Sequence, residues 1–146
     1  MSNSVADEHY LLYQCGTTPP KEEVESGKYK VVTPVPLPDG VALTSTVQIP
    51  MFELLGLRSQ IKTYIGDPQY ISSPCLLDRL ESGTFEVFDP NVGGSATAGV
   101  TLWSADHPER IIIDNHFMTS AGHGTDKTII ENGYKEGPPE ANFEWL

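Results

Sequence analysis

The block from Val41 to Ile65 constrains this chain most. Val41–Ser45 (VALTS) has the short, apolar, β-branched character of a buried strand. Pro50 suits the first turn of a following helix, with Ser45 or Thr46 as its cap. Phe52, Leu54 and Leu55 give that helix an apolar face, and Gly56 is a good stop. Ile61–Ile65 (IKTYI) is a second strand, closed by the turn-forming Gly66-Asp67-Pro68. Two strands starting about 20 residues apart, with a helix between them, make a compact crossover, and that connection requires parallel strands. The expected fold class is therefore α/β: a mostly parallel sheet with helices on both faces.

The remaining segments fit around that unit. His9–Cys15 and Tyr29–Pro36 read as early strands, the second pushed to an edge by Pro34 and Pro36. Between them, Lys21–Gly27 is a loop or a single helical turn. Ser72 or Ser73 caps a helix that begins at Pro74 and ends at Gly83. Phe85–Phe88 is a brief strand, and Asp89–Gly99 reads as a loop rich in small residues. Val100–Trp103 is expected as a weak strand. Arg110–Asn115 is the strongest strand of the chain, and Lys127–Glu131 the last. The tail from Pro138 can begin a helix. At 146 residues there is room for one domain, so residues 1–146 are expected to form a single α/β lobe.

Charge narrows the partners. The formal net charge is −11, which phosphate backbones and acidic leaflets repel, so no nucleic-acid partner is expected. The same charge serves solubility or attracts cations and basic ligands. No apolar run approaches the ~18 residues of a membrane span. The opening MSNSVADEHY has neither a basic nor an apolar leader segment, so the chain is either intracellular or lacks its natural N-terminus. Cys15 and Cys75 are too few for a disulfide scaffold. One bridge between them and two buried thiols both remain open.

In an open parallel sheet, ligands bind outside the C-terminal ends of the strands. The loops expected there are Thr44–Gln48, Gly66–Ser73, Asn115–Gly124 and Asn132–Gly137. Candidate ligand contacts are Thr44, Ser45, Thr46, Tyr70, Ser72, Ser73, Asn115, His116 and Tyr134. Hydroxyls and helix amides there suit an oxygen-rich or anionic ligand, and the two tyrosines offer flat surfaces. His116, His123 and Asp114 carry donor types that hold transition metals, although their spacing is not diagnostic. No P-loop, dinucleotide fingerprint or nucleophile elbow is present, so neither cofactor nor catalytic residue is expected.

Several strings carry a resemblance. YLLYQCG at Tyr10–Gly16, VALTSTVQIPMFELLG at Val41–Gly56, IKTYIGDPQYISSPCL at Ile61–Leu76 and, more loosely, ENGYKEGPPEANFEWL at Glu131–Leu146 are similar to a eukaryotic branch of periplasmic-binding-protein-like sequences. That branch resembles the class III substrate-binding proteins of metal chelates and siderophores. The resemblance implies the N-terminal lobe of a two-lobed binding protein, truncated at both ends. It further implies non-catalytic binding of a small solute such as a ferric siderophore, haem or cobalamin, through Thr44, Ser45, Thr46, Tyr70, Ser72 and Ser73. A second lobe or a membrane transporter would be the partner, in an extracellular or secretory setting. Two alternatives stand beside it: a metal-dependent enzyme using His116, His123 and Asp114, and a protein-interaction lobe without a small ligand.

Overall fold

The structure is a computed structural model that describes residues 9–115 and 127–131. The chain divides into two compact units, Met1–Pro38 and Asp39–Leu146, where a single lobe is expected from length. In the first unit, strands β1 (His9–Gln14) and β2 (Tyr29–Val35) pair in parallel, joined through the one-turn helix α1 (Lys21–Glu25). Tyr10 stands opposite Val31, and Tyr13 opposite Pro34. Tyr29 donates its phenol proton to Glu23 of α1 over 2.8 Å.

The second unit holds a five-stranded, all-parallel sheet, as the crossover spacing requires. Its strands are β3 (Val41–Leu43), β4 (Ile61–Ile65), β5 (Glu86–Phe88), β6 (Ile111–Asn115) and β7 (Thr128–Glu131). They lie in the order β5-β4-β3-β6-β7. The chain thus steps outward from β3 to β5, crosses back, and steps outward again on the other side. Helices α2 (Gln48–Leu54) and α3 (Pro74–Glu81) make the first two crossovers, and α4 (Ala96–Asp106) makes the return. Right-handed crossovers in opposite directions send their helices to opposite faces.

The core bears this out for α4. Val100 and Trp103 pack on Ala42, Ile65 and Ile112 from the three central strands, with Phe88 at the margin. Val41 and Leu43 alternate to the other face and are fully buried. Trp103 is 1% exposed and its ring stacks on His107 at 4.5 Å. Burying large apolar side chains of this kind contributes about 1.5–3 kcal/mol each. At the N-terminal edge, Arg110 donates to Thr63 (2.9 Å) and to Glu86 (3.2 Å), tying the start of β6 to β4 and β5.

Helix α4 corrects the sequence reading. Val100–Trp103 is not a strand, and the small-residue run before it is not all loop. Ser95 caps the helix, its hydroxyl accepting from the Ala98 amide at 3.2 Å. Val100 and Trp103 then fall three residues apart on one buried face, and His107 follows Trp103 four residues on. A β-branched pair and a glycine hide this period from a propensity argument, because tertiary packing overrides weak local preference. Gly99 is required there: a Cβ would collide with the Pro90 carbonyl.

Candidate functional site

Parallel strands end together, so the loops after β3, β4 and β5 and the end of β6 share one rim of the second unit. The strand order reverses beside β3, between the ends of β3 and β6, where doubly wound sheets place their ligands. Thr44 sits at this point. Its amide donates to the Ile113 carbonyl at 3.2 Å, and its hydroxyl donates to the Asp114 carboxylate at 2.6 Å. Thr44 and Asp114 are 5% and 1% exposed, so this contact lies beneath the rim rather than on it.

The loop from β3 to α2 is built differently from expectation. Neither Ser45 nor Thr46 caps the helix through its side chain; the cap position is Val47, with helical backbone. Instead Gln48, fully buried, folds back so that its amide oxygen accepts from the Ser45 N–H at 3.3 Å. Its Nε2 has no hydrogen-bond partner among the described residues. Ser73 does cap α3 as expected, accepting from the Leu76 amide, and it also donates to Glu53 at 2.5 Å. Glu53 in turn binds Arg58 at 2.9 Å. The Ser73 hydroxyl, a candidate ligand contact by sequence, thus holds the start of α3 and the Glu53 carboxylate.

Two hollows open on the rim. The smaller has a volume near 190 Å³ and is lined by Thr44, Tyr64, Ile65, Gly66, Asp67 and Tyr70, closed on the α4 side by Ala96 and Val100. The larger, near 580 Å³, shares Gly66, Asp67 and Pro90 with it and extends past Val87 to Asp89 and Asn91. The two adjoin at those shared residues. Loop geometry is fixed by short side-chain bonds. Asp67 accepts from the Gln69 amide at 3.0 Å and from its side-chain amide. Asp89 accepts from the Asn91 backbone and side chain at 2.9 and 3.0 Å.

Electrostatics at the rim are one-sided. Asp67 and Asp89 line the hollows, and among the described residues no lysine or arginine does. An anionic ligand, expected from the hydroxyls alone, meets like charge here. The Tyr64 phenol is pushed above its ordinary value, first by burial and then by the charge of Asp67 and the neighbouring Tyr70. It stays protonated and neutral at physiological pH.

Of the sequence-predicted contacts, Thr44 and Tyr70 line one cavity. Ser45 is buried, Thr46 half-buried and Ser72 exposed, and none of the three lines either of these two hollows. Asn115 ends β6 on the same rim. His116, His123 and Tyr134 lie outside the described residues. Among the described residues, no group of three or more His, Cys, Asp or Glu side chains is placed to hold a metal. Cys15 and Cys75 are free, exposed thiols, neither bridged nor buried. In the smaller cavity, Tyr64, Ile65, Pro90, Ala96 and Val100 are the lining residues that sequence reasoning misses. For the last three the cause is traceable: with α4 taken for a strand, the segment after β5 is not recognised as a loop of the binding rim. The Ser95 cap followed by apolar residues at helical spacing is the signal that finds it.

No family model, curated protein or solved structure matches the chain. Among the described residues, no helix is long and apolar enough to cross a membrane.

Proposed function

We propose that the second unit binds a small solute, without chemistry, in the hollows at the C-terminal rim of its sheet. The observation that carries this reading is the 190 Å³ cavity walled by Tyr64, Ile65, Tyr70 and Val100 beside the point where strand order reverses. Drug-sized ligands occupy about 300–1,000 Å³. The smaller cavity therefore takes one ring-sized apolar part, and the rest of the ligand lies in the 580 Å³ hollow. Rim side chains held in mutual hydrogen bonds present a fixed surface, which lowers the ordering cost of binding.

The charge of the rim refines the ligand class. A neutral or cationic solute meets Asp67 and Asp89 favourably, and a carboxylate-rich ferric chelate does not. A chelate of haem or cobalamin size exceeds the smaller cavity and would rest in the larger hollow. The likeness of the Val41–Gly56 and Ile61–Leu76 strings to class III substrate-binding sequences is compatible with the same rim, since each string runs through one of its loops.

A ligand-observed NMR screen tests the proposal with single-ring aromatic alcohols and amines, aromatic carboxylates and a ferric hydroxamate. The reading expects hits among the neutral and cationic rings, and their loss in Ala96→Leu, which fills the cavity from α4. Equal binding by wild type and Ala96→Leu contradicts it.

A further inference from the structure

The opposite end of the same sheet carries charge of the other sign. A depression of about 490 Å³ is lined by Gly56, Arg58, Ser59, Lys62, Arg79 and Thr84. Three of the chain's nine basic side chains meet there, in a protein with 20 acidic residues, and no carboxylate is among the lining residues. Arg58 and Ser59 precede β4, Lys62 is its second residue, and Thr84 precedes β5. The depression thus belongs to the N-terminal edge of the strands, away from the C-terminal rim.

Each cation is held differently. Arg79 reaches across to the carbonyls of Arg58 and Ile61 at 2.9 and 3.0 Å, and to that of Thr84 at 3.1 Å. These acceptors are neutral, so they fix the guanidinium without cancelling its charge. Arg58 spends its Nε on Glu53, which leaves the Nη edge of its fork without a bond among the described residues. Lys62 crosses Gly40 so closely that a Cβ on that glycine would fall 2.5 Å from the lysine Cγ, so the lysine stem packs on that glycine while the residue lines the depression. No ion pair of Lys62 occurs among the described residues. With Glu53 offsetting Arg58, about two positive charges remain uncompensated over one shallow hollow.

We infer that this depression is an anion site for a phosphoryl or pyrophosphoryl group, held by the Arg58 fork, the Lys62 ammonium and the Ser59 hydroxyl over the fixed charge of Arg79. A guanidinium edge matches two phosphoryl oxygens, and an ammonium adds a point charge. The lining has no aromatic ring among the described residues, which favours a small phosphorylated compound over one read through a nucleobase. The inference is independent of the rim's ligand: the two sites lie at opposite strand ends and can be filled together.

Titration calorimetry of the full chain with pyrophosphate at low ionic strength tests it, with citrate as the carboxylate comparison. Saturable one-to-one binding is expected, tighter for pyrophosphate than for citrate and weakened by added salt. Arg58→Gln with Lys62→Gln should weaken it about ten-fold, and Lys21→Gln, in the first unit, should leave it unchanged. Arg79 is left intact because its bonds hold three backbone carbonyls. Lys62→Gln alone keeps the stem against Gly40 and should weaken binding several-fold, so the test survives if the double variant is unstable. Absence of saturable binding, unchanged affinity in the Lys62 variant, or tighter binding of citrate would each overturn the site.

Discussion

Thr44 donates its hydroxyl proton to the buried Asp114 carboxylate over 2.6 Å, joining the ends of the two strands between which the sheet changes direction. The two residues are 70 positions apart in the chain. Their bond fixes the floor of the rim on which the candidate cavity stands. It also gives Asp114 a structural partner.

Replacing Thr44 by Val keeps the shape and removes the donor. A buried charged acceptor that loses one bond costs about 1–3 kcal/mol. Urea unfolding should show that loss for Thr44→Val, and Thr44→Ser should recover most of it. An unchanged midpoint for Thr44→Val would mean that the bond contributes nothing to the fold.

Gly99 and Gly56 separate two reasons for glycine. At Gly99 the backbone is helical but the Pro90 carbonyl occupies the Cβ position, so Gly99→Ala must push α4 off the β5 loop. Overpacking of this kind costs about 1–3 kcal/mol. At Gly56 nothing lies within 4 Å, but φ is +72°, so Gly56→Ala pays only the left-handed backbone penalty of about 1–2 kcal/mol. Thermal melts should rank Gly99→Ala as the less stable. Only the Gly99 change should also alter ligand binding, since Pro90 and Ala96 line the cavity.

Alkaline pH reports on Tyr64. Its folded pKa is raised above the ordinary 10.0, so the folded state holds the phenol proton more tightly than the unfolded chain. That contribution is fully present below pH 10.0 and is lost as pH rises through the folded value. Stability should therefore fall above about pH 10, and more gently in Tyr64→Phe. Some slope should persist in that variant, because the hydrogen bond to Glu23, with burial, raises the Tyr29 phenol as well. Identical slopes for wild type and Tyr64→Phe would show that the phenol is not held in its neutral form by the fold.

Local signals carry most of the fold. Ile61–Ile65 is bounded as its turn residues require, and Ser73-Pro74 opens α3 with the expected cap. The parallel sheet follows from the Val41-to-Ile65 spacing alone. Strand order does not, because it depends on α4 crossing back over β4 and β3, and α4 is masked by Gly99, Val100 and Thr101. Half of the candidate site is legible for the same reason. Thr44, Asp67 and Tyr70 follow strands that the sequence announces, whereas Pro90, Ala96 and Val100 belong to the hidden helix and the loop before it. The basic depression is invisible in sequence because Arg58, Lys62 and Arg79 meet only through the αβ loops. Gln48 likewise gives no sign that its side chain, rather than Ser45 or Thr46, closes the start of α2.

Ligand entry into the cavity at the C-terminal rim can be followed residue by residue through amide chemical-shift mapping of labelled protein, titrated with a single-ring aromatic amine. Shifts should concentrate at Thr44, Ile65, Gly66, Asp67 and Tyr70 and at the start of α4, and should vanish in Ala96→Leu. Saturable shifts that instead spare these residues, or that persist in Ala96→Leu, would contradict the account.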